Sequence, residues 1–386
     1  MNNFTFINPT KLIFGKGQIL KIGREIPQNA NVMITYGGGS IFRNGVYDQV
    51  KAALKGFNCI EFGGIEANPD YDTLMKAVSK ANDNNVDFLL AVGGGSVIDG
   101  TKFIAAAMKY KGECAWDFMV DQSGINDLEL VPMGAVLTIP ATGSEMNNSA
   151  VISRRSTKEK LSFAARANYP VFSAIDPQVC YSLPKRQISN GIVDTFCHVL
   201  EQYMTYPTQS YIPERFAESI LVTLRNIGPK LMEDNSDYDL CANFMMCATM
   251  GLNGFISMGV PQDWATHIIG HELTAIYGLD HAVTLAIVGP SLLRTMKEEK
   301  REMLLQYADR VWNISGKSEF ELIDEAIDAT QYFYERVGIK THLSDYGIGD
   351  ENFDEIAGRF SRRGWNLGER ESITPDKVLE ILKGCL

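Results

Sequence analysis

Asp194 and His198, within NGIVDTFCHVLEQY, stand four residues apart, so on a helix both project from one face. His267 opens a second helical pattern in DWATHIIGHEL, with His271 one turn later. His281 follows YGLD, where Gly278 is placed to end that helix and turn the chain back. Three imidazoles and a carboxylate suit a divalent first-row metal. Each part alone has a plainer explanation. A single helical histidine is ordinarily a hydrogen-bonded core or surface residue, and an acid four positions from a histidine also stabilises a helix. Clustering carries the argument, because three of the five histidines fall within residues 267–281. HELTA begins like the zinc-protease HExxH, but Ala275 occupies the second histidine position and excludes that reading.

A second set of residues suits phosphate. Gly93-Gly94-Gly95-Ser96 ends a buried strand and precedes the helical VIDGTKFIAAA. Glycines let the backbone approach a pyrophosphate, and the helix N-terminus favours its charge. The string is not GxGxxG, and such turns also arise for tight packing alone. Gly37-Gly38-Gly39-Ser40 ends an earlier strand with Arg43 nearby and no carboxylate before Asp48. An uncharged turn leaves room for the 2′-phosphate of NADP, where NAD sites place an acid, although an ordinary flexible turn reads the same way. TIPATGSE, from Thr138 to Glu145, offers hydroxyls at another strand end. Lys160, after SRRSTKEK, reads on its own as a solvated charge.

These residues need two kinds of scaffold. At 386 residues the chain exceeds one ordinary core. Residues 1–182 alternate apolar runs with helical patterns: strands in NVMITY, FNCIEF, VDFLLAV and MGAVLTI, and helices in IFRNGVYDQVKAALKG, YDTLMKAVSKANDNN and VIDGTKFIAAAMKY. That alternation predicts a doubly wound parallel sheet with ligands at the strand carboxyl ends. Ser182-Leu183-Pro184 marks a break, and residues 183–386 read as an all-helical domain holding every metal-ligand candidate. The net charge of −11 argues against nucleic acid or an anionic membrane as main partner. No run reaches the ~18 apolar residues of a membrane span. The N-terminus lacks a signal pattern, and seven scattered cysteines without a CxxC pair argue for a cytosolic protein.

Taken in order, LIFGKG, GGGS, AVGGGSVIDGTKFIAAA, TIPATGSE, VPQDWATHIIGHELTAIYGLDHA and HLSDYG resemble the iron-containing (group III) alcohol dehydrogenases. Within them the chain is most similar to the NADPH-dependent aldehyde reductases and butanol dehydrogenases. Many members carry Pro-His-Gly around the last ligand and Ala-His earlier. Here the residues are Asp280-His281-Ala282 and Gly270-His271, which sets the chain apart from the diol and glycerol enzymes.

The resemblance implies metal ligation by Asp194, His198, His267 and His281, with Fe(II) or Zn(II) as the ion. It implies pyrophosphate binding at Gly94, Gly95 and Ser96, with Asp99 near the nicotinamide half. Thr138, Thr142, Asn147 and Lys160 match cofactor-lining positions, and Gly38 and Ser40 match the adenosine-side turn. Gly39 stands where NAD-preferring relatives often carry aspartate. His271 matches a residue of the substrate cleft. A cleft between two domains and a homodimer are also implied. The expected reaction is hydride transfer between NADPH and short-chain aldehydes of the butanal type, giving primary alcohols. A metal-dependent lyase on a dehydroquinate-synthase-like scaffold would instead need basic residues near the ligands, and the helical half shows no such cluster. A non-catalytic dinucleotide sensor leaves the converging ligand types unexplained.

Overall fold

The computed structural model describes residues 1–386. The chain divides into two compact units, one of residues 7–184 and 235–249, the other of residues 1–6, 185–234 and 250–386. Two segments therefore cross the boundary expected after residue 182: the first six residues belong with the helices, and 235–249 with the sheet.

The sheet unit runs β1 (Lys11–Phe14), β2 (Asn31–Tyr36), α1 (Val46–Ala53), β3 (Asn58–Phe62), α2 (Tyr71–Asp83), β4 (Phe88–Gly94), α3 (Gly95–Ala107), α4 (Asp117–Val120), β5 (Met133–Ile139), β6 (Ser149–Arg154), β7 (Glu159–Ala164) and β8 (Phe172–Ile175). Six strands form a wholly parallel sheet in the order β1-β8-β5-β4-β2-β3, and β6 and β7 form a separate antiparallel hairpin. Every residue of β4 is buried, as a central strand covered on both faces requires. The four longer strands fall where the apolar runs predict them. β1 and β8, four residues each, are too short to show a period. The helix expected over 41–56 begins only at Val46, after a single 3-10 turn at Ser40–Phe42.

The remaining elements are α5 (Lys185–Tyr203), α6 (Tyr211–Glu233), α7 (Tyr238–Gly251), α8 (Ala265–Tyr277), α9 (His281–Thr295), α10 (Arg301–Trp312), α11 (Glu319–Arg336), α12 (Phe353–Arg363) and α13 (Pro375–Lys383). α5 is the buried axis of the helical unit and packs against α6, α8 and α9. Local signals set several ends. Ser318 and Glu321 make a reciprocal capping box on α11, and the Thr374 side chain caps α13 with Pro375 in its first turn. Gly278, at φ 71°, closes α8 in the left-handed conformation, so His281 starts α9 on the return. No helix is long and apolar enough to cross a membrane.

The β4–α3 turn is closely packed. A Cβ on Gly95 would lie 2.3 Å from Thr142 Oγ1 and 2.7 Å from Thr142 Cγ2. Gly95→Ala is therefore expected to cost about 1–3 kcal/mol through overpacking. Chemical denaturation measures this, and a midpoint equal to that of the parent chain contradicts the close approach.

Candidate metal centre and cofactor turns

α5 presents Asp194, His198 and Glu201 along one stripe, at i, i+4 and i+7. α8 adds His267, and α9 contributes His281 as its first residue. One ligand atom from each of Asp194, His267 and His281 lies within 4.8 Å of the others. Asp194 Oδ1 is 3.6 Å from His281 Nε2 and 3.6 Å from His198 Nδ1. The His198 ring centre stands 4.4 Å from that of His267, so His198 borders the tighter trio. Asp194, His198 and His267 are buried, and His281 is partly open.

The donor set fits a cation. Asp194 Oδ1 and His198 Nδ1 are buried atoms that make no hydrogen bond, and their 3.6 Å separation is too long for one. Such groups are costly to leave unsatisfied, and a shared divalent ion satisfies both. Burial pushes the His198 imidazole down to about 4, so it is neutral at physiological pH, the form in which histidine ligates. The mixed nitrogen and oxygen set does not discriminate iron from zinc.

Glu201 escaped the sequence reading. Its carboxylate receives His267 Nδ1 and, at 2.6 Å, the backbone N–H of Thr266. With Nδ1 held in this way, Nε2 is the ring nitrogen of His267 that could meet a metal, as in the carboxylate–histidine–metal arrangement common around bound ions. Burial, with the neighbouring Asp263, raises the Glu201 carboxyl well above its ordinary range. Asp263 Oδ1 accepts the Ala265 N–H at 2.8 Å at the start of α8, and Asp263 Oδ2 pairs with buried Lys300 at 2.8 Å. The available signal was spacing, since Glu201 follows His198 by three residues on the same face. His271 lies on α8 with its ring centre 5.3 Å from that of His281, beside the trio and outside it.

The cofactor candidates all lie in the sheet unit, most at strand carboxyl ends. Gly93 and Gly94 finish β4, and Gly95 and Ser96 open α3, with Ser96 alone of the four partly exposed. Thr142 packs on Gly95, and its Oγ1 lies 2.6 Å from Ser144 Oγ. Thr138 is buried near the end of β5, and Asn147 follows in the same segment. Asp99 points inward: its Oδ2 accepts the Val151 N–H at 2.9 Å, and burial raises its carboxyl against the pull of Lys102. Lys160 is half-buried on β7 and close enough to Asp99 to stabilise its charge. Gly38 and Ser40 are exposed at the end of β2.

If Glu201 orients His267, Glu201→Gln weakens metal binding by about 10–100-fold while the chain stays folded. Metal titration of the stripped protein reads this directly; an unchanged affinity removes Glu201 from the centre.

The family model described as "Iron-containing alcohol dehydrogenase" matches residues 9–177, and its C-terminal counterpart matches residues 188–386. The chain is 52% identical to the NADPH-dependent aldehyde reductase YqhD of Escherichia coli (strain K12), covering 100% of both chains. It is 42% identical to the probable NADH-dependent butanol dehydrogenase 1 of Bacillus subtilis (strain 168), again covering 100% of both. Among solved structures, E. coli YqhD superposes with a TM-score of 0.97 at 51% identity, covering 100% of this chain and 99% of that one. NADH-dependent butanol dehydrogenase A from Thermotoga maritima gives a TM-score of 0.94 at 37% identity, covering 100% and 99%. With both halves matched and full-length identity above half, the chain belongs to the iron-containing alcohol dehydrogenase family.

Proposed function

We propose that the protein is a metal-dependent NADP(H) alcohol dehydrogenase that reduces short-chain aliphatic aldehydes, of the butanal type, to primary alcohols. The reading is carried by the Asp194–His267–His281 trio in a chain 52% identical to an NADPH-dependent aldehyde reductase. Asp194, His198, His267 and His281 hold one Fe(II) or Zn(II). The metal supplies Lewis acidity toward a carbonyl oxygen and NADPH supplies hydride. The protein's own tasks are to keep the His198 imidazole neutral, to fix His267 through Glu201, and to deliver a proton through His271 or a water. Gly94, Gly95 and Ser96 receive the pyrophosphate at the start of α3. Thr138, Thr142, Asn147 and Lys160 line the cofactor, with Asp99 near its nicotinamide half.

The turn after β2 sets cofactor preference. Gly39 sits at φ 85° with its Cβ position 3.2 Å from the Phe42 ring, so an acid there is strained. Gly38 meets nothing within 4 Å and takes a side chain freely. Its lack of charge, beside Ser40, supports NADPH.

The same protein is proposed to act in the cytoplasm as a homodimer. Seven thiols suit a reducing compartment. An apolar surface supports self-association: Phe4, Phe6, Tyr211, Ile212 and Phe216 are exposed, and the rings of Phe6 and Phe216 both pack on Phe255.

Metal-loaded protein is expected to oxidise NADPH with butanal and to stop when chelated; turnover that survives complete metal removal refutes the metal role. Gly38→Asp should lower the NADPH-to-NADH ratio of kcat/KM by at least about tenfold through like-charge repulsion with the 2′-phosphate. An unchanged ratio takes preference away from this turn. Light scattering should return twice the 42.8 kDa chain mass, and a 42.8 kDa particle contradicts the dimer.

A further inference from the structure

Lys102 stands on α3 with no solvent exposure, an unusual place for an ammonium. Its Nζ donates to three oxygens, each at 2.8 Å: Asn147 O, Asn147 Oδ1 and Ser149 O. All three N–H donors of the ammonium are thereby used. Asn147 Oδ1, so gripped, also accepts from Ser149 N at 3.1 Å and Ser149 Oγ at 3.2 Å, while Asn147 Nδ2 donates to Thr142 O at 3.4 Å. One buried cation thus gathers the chain between Thr142 and Ser149 and ties it to α3.

That segment is the wall facing the glycine turn, since Thr142 occupies the space a Cβ on Gly95 would need. The arrangement has no apolar substitute. A methionine would fill similar volume without desolvation cost, but it would take a charged donor from the Asn147 and Ser149 backbone carbonyls and from Asn147 Oδ1, which would keep only its bonds from Ser149. Asp99 and Glu145, both buried, flank the ammonium and offset its charge. Burial pushes Lys102 down to about 8, so near pH 7 it retains its charge and all three donors.

We infer that Lys102 is a positioning residue for the dinucleotide: through Asn147 and Ser149 it holds the 142–149 segment against the glycine turn and thereby sets NADPH affinity. The inference rests on the reading that Gly95, Thr142 and Asn147 line the cofactor. Lys102 touches no reacting atom in this account, so its removal acts on binding and leaves the chemical step intact.

Three readouts on Lys102→Met and Lys102→Gln test it. NADPH binding to metal-stripped protein, followed by nicotinamide fluorescence, should weaken about tenfold or more in Lys102→Met, as expected for losing hydrogen bonds to a charged donor. Lys102→Gln, which keeps an amide donor, should fall between. KM for NADPH should rise in parallel, while kcat at saturating NADPH and bound metal per chain stay at parent values. Amide hydrogen exchange should quicken across residues 142–149. An unchanged NADPH affinity in a folded Lys102→Met chain overturns the inference, as does an equal loss of kcat. If neither variant folds, the lysine holds the whole unit rather than one segment, and the inference is again overturned. Should the parent chain bind no NADPH, the cofactor reading itself fails, and the exchange data alone still decide whether Lys102 anchors the segment.

Discussion

Burying a carboxylate and two imidazoles beside a third, partly open one is tolerable only if something cationic completes them, and this requirement organises the helical unit. Asp194 Oδ1 has no hydrogen-bond donor, and His198 beside it is held neutral by burial. In an interior of low dielectric such a set is costly alone and favourable around a divalent ion. The folding of the unit places these groups with little freedom. α5 supplies two of the proposed ligands from one stripe, the Gly278 turn brings α9 back so that its first residue is His281, and Glu201 holds the His267 ring through Nδ1.

Support continues outward from the ligands. Glu201 also receives the Thr266 N–H, and its backbone carbonyl accepts the N–H of Asp263 at 3.0 Å. Asp263 in turn caps the start of α8 and pairs with Lys300, which also binds Glu369 at 3.0 Å and the Met204 carbonyl at 2.8 Å. Burial works against the Lys300 ammonium, but Asp263 and Glu369 outweigh it and raise its pKa. A chain of buried charged bonds of this kind, each partner satisfied, resists displacement of any member. The sheet unit uses the same device, with Lys102 taking the place of Lys300 and backbone carbonyls taking the place of carboxylates.

Much of this was legible in the order of residues. The four long strands and most helices follow from apolar runs and from caps such as Thr374-Pro375, because those elements are set by local chemistry. The three-histidine cluster and the glycine turns stood out for the same reason, since side-chain type and spacing along one element are local facts. What stayed hidden depends on contacts distant in sequence. Glu201 meets His267 across 66 positions and Lys102 meets Asn147 across 45, and nothing beside either residue announces its partner. Asp99 read as a cofactor residue from its place after the glycine turn, and the Val151 N–H that its Oδ2 accepts is a contact only the packed hairpin creates. Segment 235–249 looked like part of the helical half by composition, and tertiary packing assigned it to the sheet unit.

The most direct test of the account is the anomalous scattering of a crystal of the iron- or zinc-loaded protein, collected on both sides of the metal absorption edge. The account predicts one strong peak per chain, bonded to a carboxylate oxygen of Asp194 and one ring nitrogen each of His198, His267 and His281 at about 2.0–2.2 Å. A peak seated away from these four side chains, or a chain saturated with metal and no peak among them, would contradict it.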